Sequence, residues 1–117
     1  MKIAVNGTKG FKDYNVFLRA MRVVLSDMNN NGDKELVVYS AGPSNINSFA
    51  REFINITERS MKALGVRVKL ANRPLSDIKQ SLSDIDYLAY FCLPNENKNS
   101  LVIDAEDLDV EVGIFRF

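Results

Sequence analysis

Short apolar runs alternate along this chain with longer stretches whose apolar residues recur at helical spacing. The chain opens with a compact apolar run at Lys2 to Val5, and Tyr14 to Leu25 then carries an amphipathic stripe. Further apolar runs follow at residues 36–39, 66–70, 87–91 and 110–117. Strands separated by helices form βαβ units, and right-handed crossovers then build a parallel sheet with helices on both faces. The pattern predicts an α/β fold of three layers, with a mainly parallel five-stranded sheet in the order 3-2-1-4-5.

Capping and turn residues predict where the helices begin and end. Asp13 is expected to cap the first helix. No glycine or proline interrupts the chain from about Asn45 to Leu64, which predicts a second helix closed by Gly65. Ser76 is expected to cap a short helix that runs through Leu82, and residues 101–106 form a brief helix or turn.

Length and composition limit the classes of function. The 117 residues fit one domain, residues 1–117, without a linker or repeat. Fifteen basic residues balance fifteen acidic ones, which argues against a nucleic-acid coat or a basic membrane binder. Histidine is absent and Cys92 is the single cysteine, so imidazole catalysis and histidine or multi-cysteine metal sites are excluded. No signal peptide or membrane span is visible, and the expected location is cytoplasmic.

Polar loops follow the first, second and fourth predicted strands. They comprise residues 6–13, 40–47 and 92–100, and are rich in Gly, Ser, Thr and Asn. Ligands of open α/β sheets bind at the carboxyl ends of the strands, beside the switch in strand order. The three loops are therefore the expected binding site, with Asn95 or Asn97 of the third loop closing it.

The first loop contains residues suited to holding a phosphate. Gly7 and Gly10 let main-chain amides approach an anion. Thr8 offers a hydroxyl and Lys9 a positive charge, close to the start of a helix. The loop matches neither the G-x-G-x-x-G pattern nor the G-x-x-x-x-G-K-[ST] pattern, and a plain strand-to-helix turn explains it equally well.

The second loop would line the opposite wall of the same pocket. Gly42 permits close approach of the backbone, while Ser44, Asn45 and Asn47 supply neutral hydrogen-bonding groups. Capping of the second helix by Ser44 or Asn45 is the alternative explanation for these residues.

The first loop also resembles a known family. The small SLOG-superfamily proteins of the YspA type begin with a strand, then Gly-Ser-Arg-Gly-Phe and an Asp-Tyr pair. The matching residues here are Gly7, Thr8, Lys9, Gly10, Phe11, Asp13 and Tyr14. The family's second signature, Gly-Gly-Ala-x-Gly-x-Asp, corresponds to residues 41–47 but is identical only at Gly42, since Asn45 replaces a glycine and Asn47 the aspartate. The resemblance implies a Rossmann-like fold that binds nucleotides or nucleotide-derived ligands.

The later signatures of that family and its relatives are missing. No glycine-threonine loop follows the fourth strand, and the Pro-Gly-Gly-x-Gly-Thr-x-x-Glu signature of the related phosphoribohydrolases is absent. An enzyme of that kind is therefore not expected, and no catalytic residue, metal or cofactor is predicted.

Other candidate residues have simpler structural interpretations. Arg67 and Lys69 alternate with apolar residues on the third strand, which is typical of a protected sheet edge. Cys92 is expected to be a small buried residue. The acidic cluster at residues 104–109 is expected to be a solvated turn rather than a magnesium site.

The leading hypothesis is noncatalytic binding of a nucleotide or nucleotide-derived small molecule. One alternative is a degenerate family member whose surface binds another protein, as the incomplete later motifs suggest. The other is a weak nucleotide-processing hydrolase that uses Glu96 or Asp104. Homo-oligomers are common in the family it resembles, and the asparagine and lysine content is typical of a phage or an AT-rich genome.

Overall fold

The computed structural model describes residues 1–116, in which strands and helices alternate along the chain. The strands are β1 (Lys2–Gly7), β2 (Glu35–Ser40), β3 (Arg67–Asn72), β4 (Tyr87–Cys92) and β5 (Glu111–Arg116). The helices are α1 (Tyr14–Asn31), α2 (Ser44–Ala63), α3 (Leu75–Gln80) and α4 (Ser100–Asp107), with a 3-10 turn at Leu82–Asp84. The predicted last strand extended to Phe117, which lies outside the described residues.

The five strands form one sheet in the order β3-β2-β1-β4-β5. Every neighbouring pair is parallel, which confirms the predicted α/β class and strand order. In the register, Val5 lies opposite Ser40 of β2, and Gly7 lies opposite Phe91 of β4. The carboxyl ends of β1, β2 and β4 therefore meet at one edge of the sheet, which is where the three polar loops begin.

Helices pack on both faces of the sheet and enclose two apolar cores. On one face, α1 and α2 bury a core with Ile3, Val5 and Phe17 near its centre. On the other face, α3 and α4 bury a smaller core around Leu88 and Leu101. Parallel strands that are covered on both faces read as continuous apolar runs, and all six residues of β4 are indeed buried.

The helix starts agree with the predictions only in part. Asp13 caps α1, because its carboxylate accepts hydrogen bonds from the amides of Asn15 and Val16 at 3.0 and 3.3 Å. The capping of α2 by Ser44 or Asn45 is wrong, since the cap is Pro43, which makes no side-chain capping bond. Ser76 is likewise not a cap, since α3 already begins at Leu75 after Pro74.

Two further predictions are confirmed at the ends of elements. Gly65 follows α2 with a positive φ of 77°, a conformation that glycine adopts without strain. The strand β3 lies at an edge of the sheet, with Arg67 and Lys69 exposed. Among the helices of residues 1–116, none has the length and apolarity needed to cross a bilayer.

Candidate functional site at the carboxyl ends of the strands

Hydrogen bonds between loops join the three predicted segments into one polar surface. The Asn6 side-chain amide at the end of β1 donates to the Gly42 carbonyl at 2.8 Å. The side-chain amide of Asn45 donates to the Phe11 carbonyl at 3.1 Å, which ties the start of α2 to the first loop. On the other side, the Asn99 side-chain amide donates to the side-chain oxygen of Asn6 at 3.5 Å. The structure therefore brings the three loops together, as predicted, and we call this surface the polar rim.

The first loop is packed tightly where it leaves β1. A Cβ at Gly7 would lie 2.5 Å from the Phe91 carbonyl oxygen and 2.7 Å from Cδ1 of Ile46. The Thr8 amide donates to the same Phe91 carbonyl at 2.9 Å, and the Thr8 hydroxyl is buried without a described partner among residues 1–116. Gly7 is thus required for close packing against β4 and α2, and the Thr8 amide is already used within the fold.

The tip of the first loop is open by contrast. Lys9 and Gly10 are exposed, and a Cβ at Gly10 would meet no atom within 4 Å. At the start of α1, the main-chain amides of Asn15 and Val16 already donate hydrogen bonds to the Asp13 carboxylate. A carboxylate in that position repels an incoming anion, so α1 is a poor phosphate anchor.

The aromatic residues of the first loop belong to the core. Phe11 is fully buried and stacks on Phe91, with the ring centroids 4.7 Å apart. The Tyr14 ring lies 5.1 Å from the Phe49 ring, and burial, followed by the Glu52 charge, raises the pKa of its hydroxyl. Neither ring is therefore placed to stack on the base of a ligand at the polar rim.

In the second loop, Asn47 organises the connection between β2 and α2. Its side-chain oxygen accepts hydrogen bonds from the Ser40 hydroxyl and, at 2.9 Å, from the Gly42 amide. Gly42 has a φ of 89°, where a residue with a Cβ would be strained. Asn47 and Gly42 therefore shape this connection.

The start of α2 is the open part of the second loop. The amides of Ile46 and Asn47 donate to the Pro43 carbonyl at 3.0 and 3.1 Å. The amides of Ser44 and Asn45 precede them, and within residues 1–116 no side chain caps them. A helix of 20 residues thus presents its positive end to the polar rim, and Lys9 is exposed in the loop to which Asn45 is bonded.

Hydrogen bonds from Arg116 of β5 fix the third loop. One terminal nitrogen of the Arg116 guanidinium donates to the carbonyls of Leu93, Pro94 and Glu96 at 3.0–3.1 Å. Glu96 in turn accepts from the Leu93 amide at 2.9 Å. The predicted Asn95 and Asn97 are exposed on this loop.

Asn6, Ser40 and Asn99 are the residues of the polar rim that the sequence analysis did not select. Asn6 and Ser40 are buried at 7% and 1% exposure, and Asn99 also caps α4 by accepting from the Val102 amide at 2.9 Å. An asparagine immediately before a helix is a recognisable cap signal. Nothing in the sequence indicates that Asn99 also reaches Asn6.

The reactive side chains near the polar rim are few. Burial raises the pKa of the Cys92 thiol, an effect that Arg116 opposes and Glu96 supports, so the thiol stays protonated at neutral pH. Cys92 is 1% exposed, which confirms the prediction of a small buried residue. Within the described part of the chain, no three His, Cys, Asp or Glu residues lie together as metal ligands would.

A comparison of the chain with models of protein families, with curated proteins and with solved structures found no match. The resemblance of residues 7–14 to the YspA type of SLOG protein therefore stays a prediction, and so does the binding of a nucleotide.

Proposed function

We propose that this chain binds a nucleotide or nucleotide-derived small molecule at the polar rim, without catalysing a reaction on it. The observation that carries the proposal is the uncapped start of α2, which the hydrogen bond from the Asn45 side chain to the Phe11 carbonyl ties to the first loop. Free main-chain amides and the positive end of a helix form an anion site, and a neighbouring ammonium group strengthens it. The resemblance to the SLOG superfamily belongs to this same proposal.

The second loop, rather than the first, supplies the main-chain amides that bind the phosphate. The Ser44 and Asn45 amides and the Lys9 ammonium hold the phosphate, because the Thr8 amide and the start of α1 are already occupied. Gly10 leaves room at the tip of the first loop. Asn95 faces solvent on the third loop and would close over the rest of the ligand.

Binding without catalysis is supported by the chemistry of the polar rim. Its hydrogen-bonding side chains are mainly asparagine amides and hydroxyls, which neither donate nor accept a proton readily near neutral pH. The Glu96 carboxylate is held by the Leu93 amide, and the Cys92 thiol is buried and protonated. These groups offer little support to the alternative of a weak hydrolase.

The test is a thermal-shift and calorimetric panel of nucleotides, cyclic nucleotides and ADP-ribose derivatives. A ligand present at a hundred times its Kd adds about 2.7 kcal/mol to the free energy of unfolding, which raises Tm measurably. We expect at least one member of the panel to do so. A folded protein that none of these ligands stabilises would contradict the proposal.

Two variants locate the site. Ser44→Pro removes one amide donor at the first position of α2, where proline is tolerated, and Lys9→Ala removes the ammonium. Each is expected to weaken ligand binding about tenfold, since a hydrogen bond to a charged group is worth about 1.5–3 kcal/mol. Lys12→Ala, an exposed lysine nearby, is the matched control. Unchanged affinity in both test variants would place the ligand elsewhere.

A further inference from the structure

Within residues 1–116, the main-chain groups on the outer edge of β3 have no strand partner. In the described sheet β3 pairs only with β2. The amides of Arg67 and Arg73 donate towards β2, to the carbonyls of Lys34 and Ser40 at 2.9 and 3.1 Å. Alternate residues of a strand direct their N–H and C=O groups to opposite sides. Val68, Leu70 and Asn72 therefore direct theirs outward, away from the sheet.

There is room for side chains beside this edge. A cavity of about 290 Å³ lies between α2 and β3, lined by Glu58, Lys62, Val66, Arg67, Val68 and Lys69. Val66 and Val68 give it an apolar part on the helix side of the sheet. An added strand would place alternate side chains there.

The charged groups around the edge have an excess of one positive charge, three basic side chains against two acidic ones. Arg67 and Lys69 border the cavity along the strand, but they alternate with Val68 of the α2 core, so their exposed side chains lie on the opposite face, and Lys62 lies beside the cavity. The acidic groups near them are Glu58 in the cavity and Glu35, which contacts Arg67 at 3.3 Å. The whole chain has no net charge, so this excess of basic groups is a local feature.

The charges along β3 favour one kind of added strand over another. Two copies of β3 placed edge to edge would bring Arg67 and Lys69 of each copy near those of the other, and like charges across a strand pair are destabilising. An acidic strand meets no such repulsion. We propose that the edge of β3 binds an extended segment of a partner protein in which acidic and apolar residues alternate, and that this segment adds as a sixth strand. Its carboxylates face Arg67 and Lys69, and its apolar side chains face the cavity.

A peptide of ten residues that alternates glutamate and valine tests this proposal. Titration at low salt is expected to show binding, and hydrogen exchange is expected to slow at the amides of Val68, Leu70 and Asn72. The same peptide with every backbone nitrogen methylated keeps its charge but has no amide donor on either edge, so it is expected not to bind. A peptide that alternates lysine and valine is expected not to bind either.

Two double variants of the protein distinguish binding at the edge of β3 from nonspecific attraction of an acidic peptide to basic groups. Arg67→Gln with Lys69→Gln is expected to weaken peptide binding about tenfold, because it removes two cross-strand charge pairs. Arg19→Gln with Arg22→Gln, on the exposed side of α1, removes the same charge elsewhere and is expected to leave the affinity unchanged.

Three results of the peptide experiments would overturn the proposal. They are equal binding of the methylated peptide, slowed exchange at residues outside β3, and no binding of the glutamate-valine peptide to the folded protein. Self-association of the chain through β3 would also overturn it, because the edge would then be occupied by a second copy. Nucleotide binding at the polar rim is measured separately, so either proposal can fail alone.

Discussion

Gly7 lies where the end of β1 passes closest to β4 and α2. A methyl group there would come within 2.5 Å of the Phe91 carbonyl oxygen, a main-chain atom that cannot rotate away. We predict that Gly7→Ala lowers the free energy of unfolding by about 1–3 kcal/mol, the usual cost of overpacking a core. Urea denaturation with linear extrapolation measures the change.

Gly10 is the matched control in the same loop. A Cβ there meets no atom within 4 Å, so Gly10→Ala is expected to change stability by less than about 0.5 kcal/mol or to increase it slightly. Equal losses for the two variants would show that the close contact at Gly7 does not limit stability. The sequence presents both residues as flexible loop glycines, and only the packing of β1 on β4 distinguishes them.

The connection between β2 and α2 depends on one acceptor, the side-chain oxygen of Asn47. Asn47→Leu leaves the buried Ser40 hydroxyl and the Gly42 amide without this partner. The expected loss of stability is about 1–3 kcal/mol, the cost of an unsatisfied buried polar group. Thermal and urea unfolding of the variant measure it.

Asn47→Asp separates the structural role of this residue from ligand binding. The carboxylate keeps the acceptor oxygen and lies in the first turns of α2, where negative charge is favourable. Stability is expected to stay within about 1 kcal/mol of the parent. Nucleotide affinity is expected to fall, because the added charge repels phosphate. An unchanged affinity would place the phosphate away from the start of α2.

At the level of elements, the periodicity of the sequence predicts the five strands and the two long helices, but it leaves α4 open between a helix and a turn and does not give all of the caps. Capping rules favour Ser44, Asn45 and Ser76, whose side chains can accept a bond from a helix amide. In the structure the cap positions are occupied by Pro43 and Pro74 in extended conformations. The helices therefore begin at Ser44 and Leu75, earlier than the capping rule predicts. The rule fails here because a proline of suitable backbone conformation begins a helix without any side-chain bond.

At the level of the whole molecule, the alternation of strands and helices indicates the parallel sheet, whereas the details of the polar rim do not follow from it. The strands are parallel and β1 lies between β2 and β4, so the loops after these three strands meet at one edge of the sheet. The bond between Asn6 and Asn99 joins residues 93 positions apart, and the bond between Asn6 and Gly42 joins residues 36 apart. Such pairs depend on side-chain rotamers in the folded chain, which local sequence patterns do not encode.

Buried tyrosine and cysteine side chains in both apolar cores make the stability of the fold depend on pH in the alkaline range. Burial is the main cause that raises the pKa of Tyr14, Tyr87, Tyr90 and Cys92 in the folded chain. The negative charges of Glu111 and Asp27 raise the pKa of Tyr87 further. A raised pKa means that the folded state holds its proton more tightly than the unfolded state does, so unfolding is promoted once the unfolded groups ionise.

These four groups therefore contribute no pH dependence at neutral pH and lower the free energy of unfolding as the pH rises. The decline is expected to begin near the ordinary thiol pKa of 9.0 and to steepen beyond the ordinary tyrosine pKa of 10.0. Urea midpoints measured from pH 7 to pH 11 test this expectation, with Tyr87→Phe as the comparison. That variant removes one ionising group, so its stability should decline less steeply above pH 10 than that of the parent. Parallel pH profiles for the two proteins would show that Tyr87 ionises equally well in the folded and unfolded states.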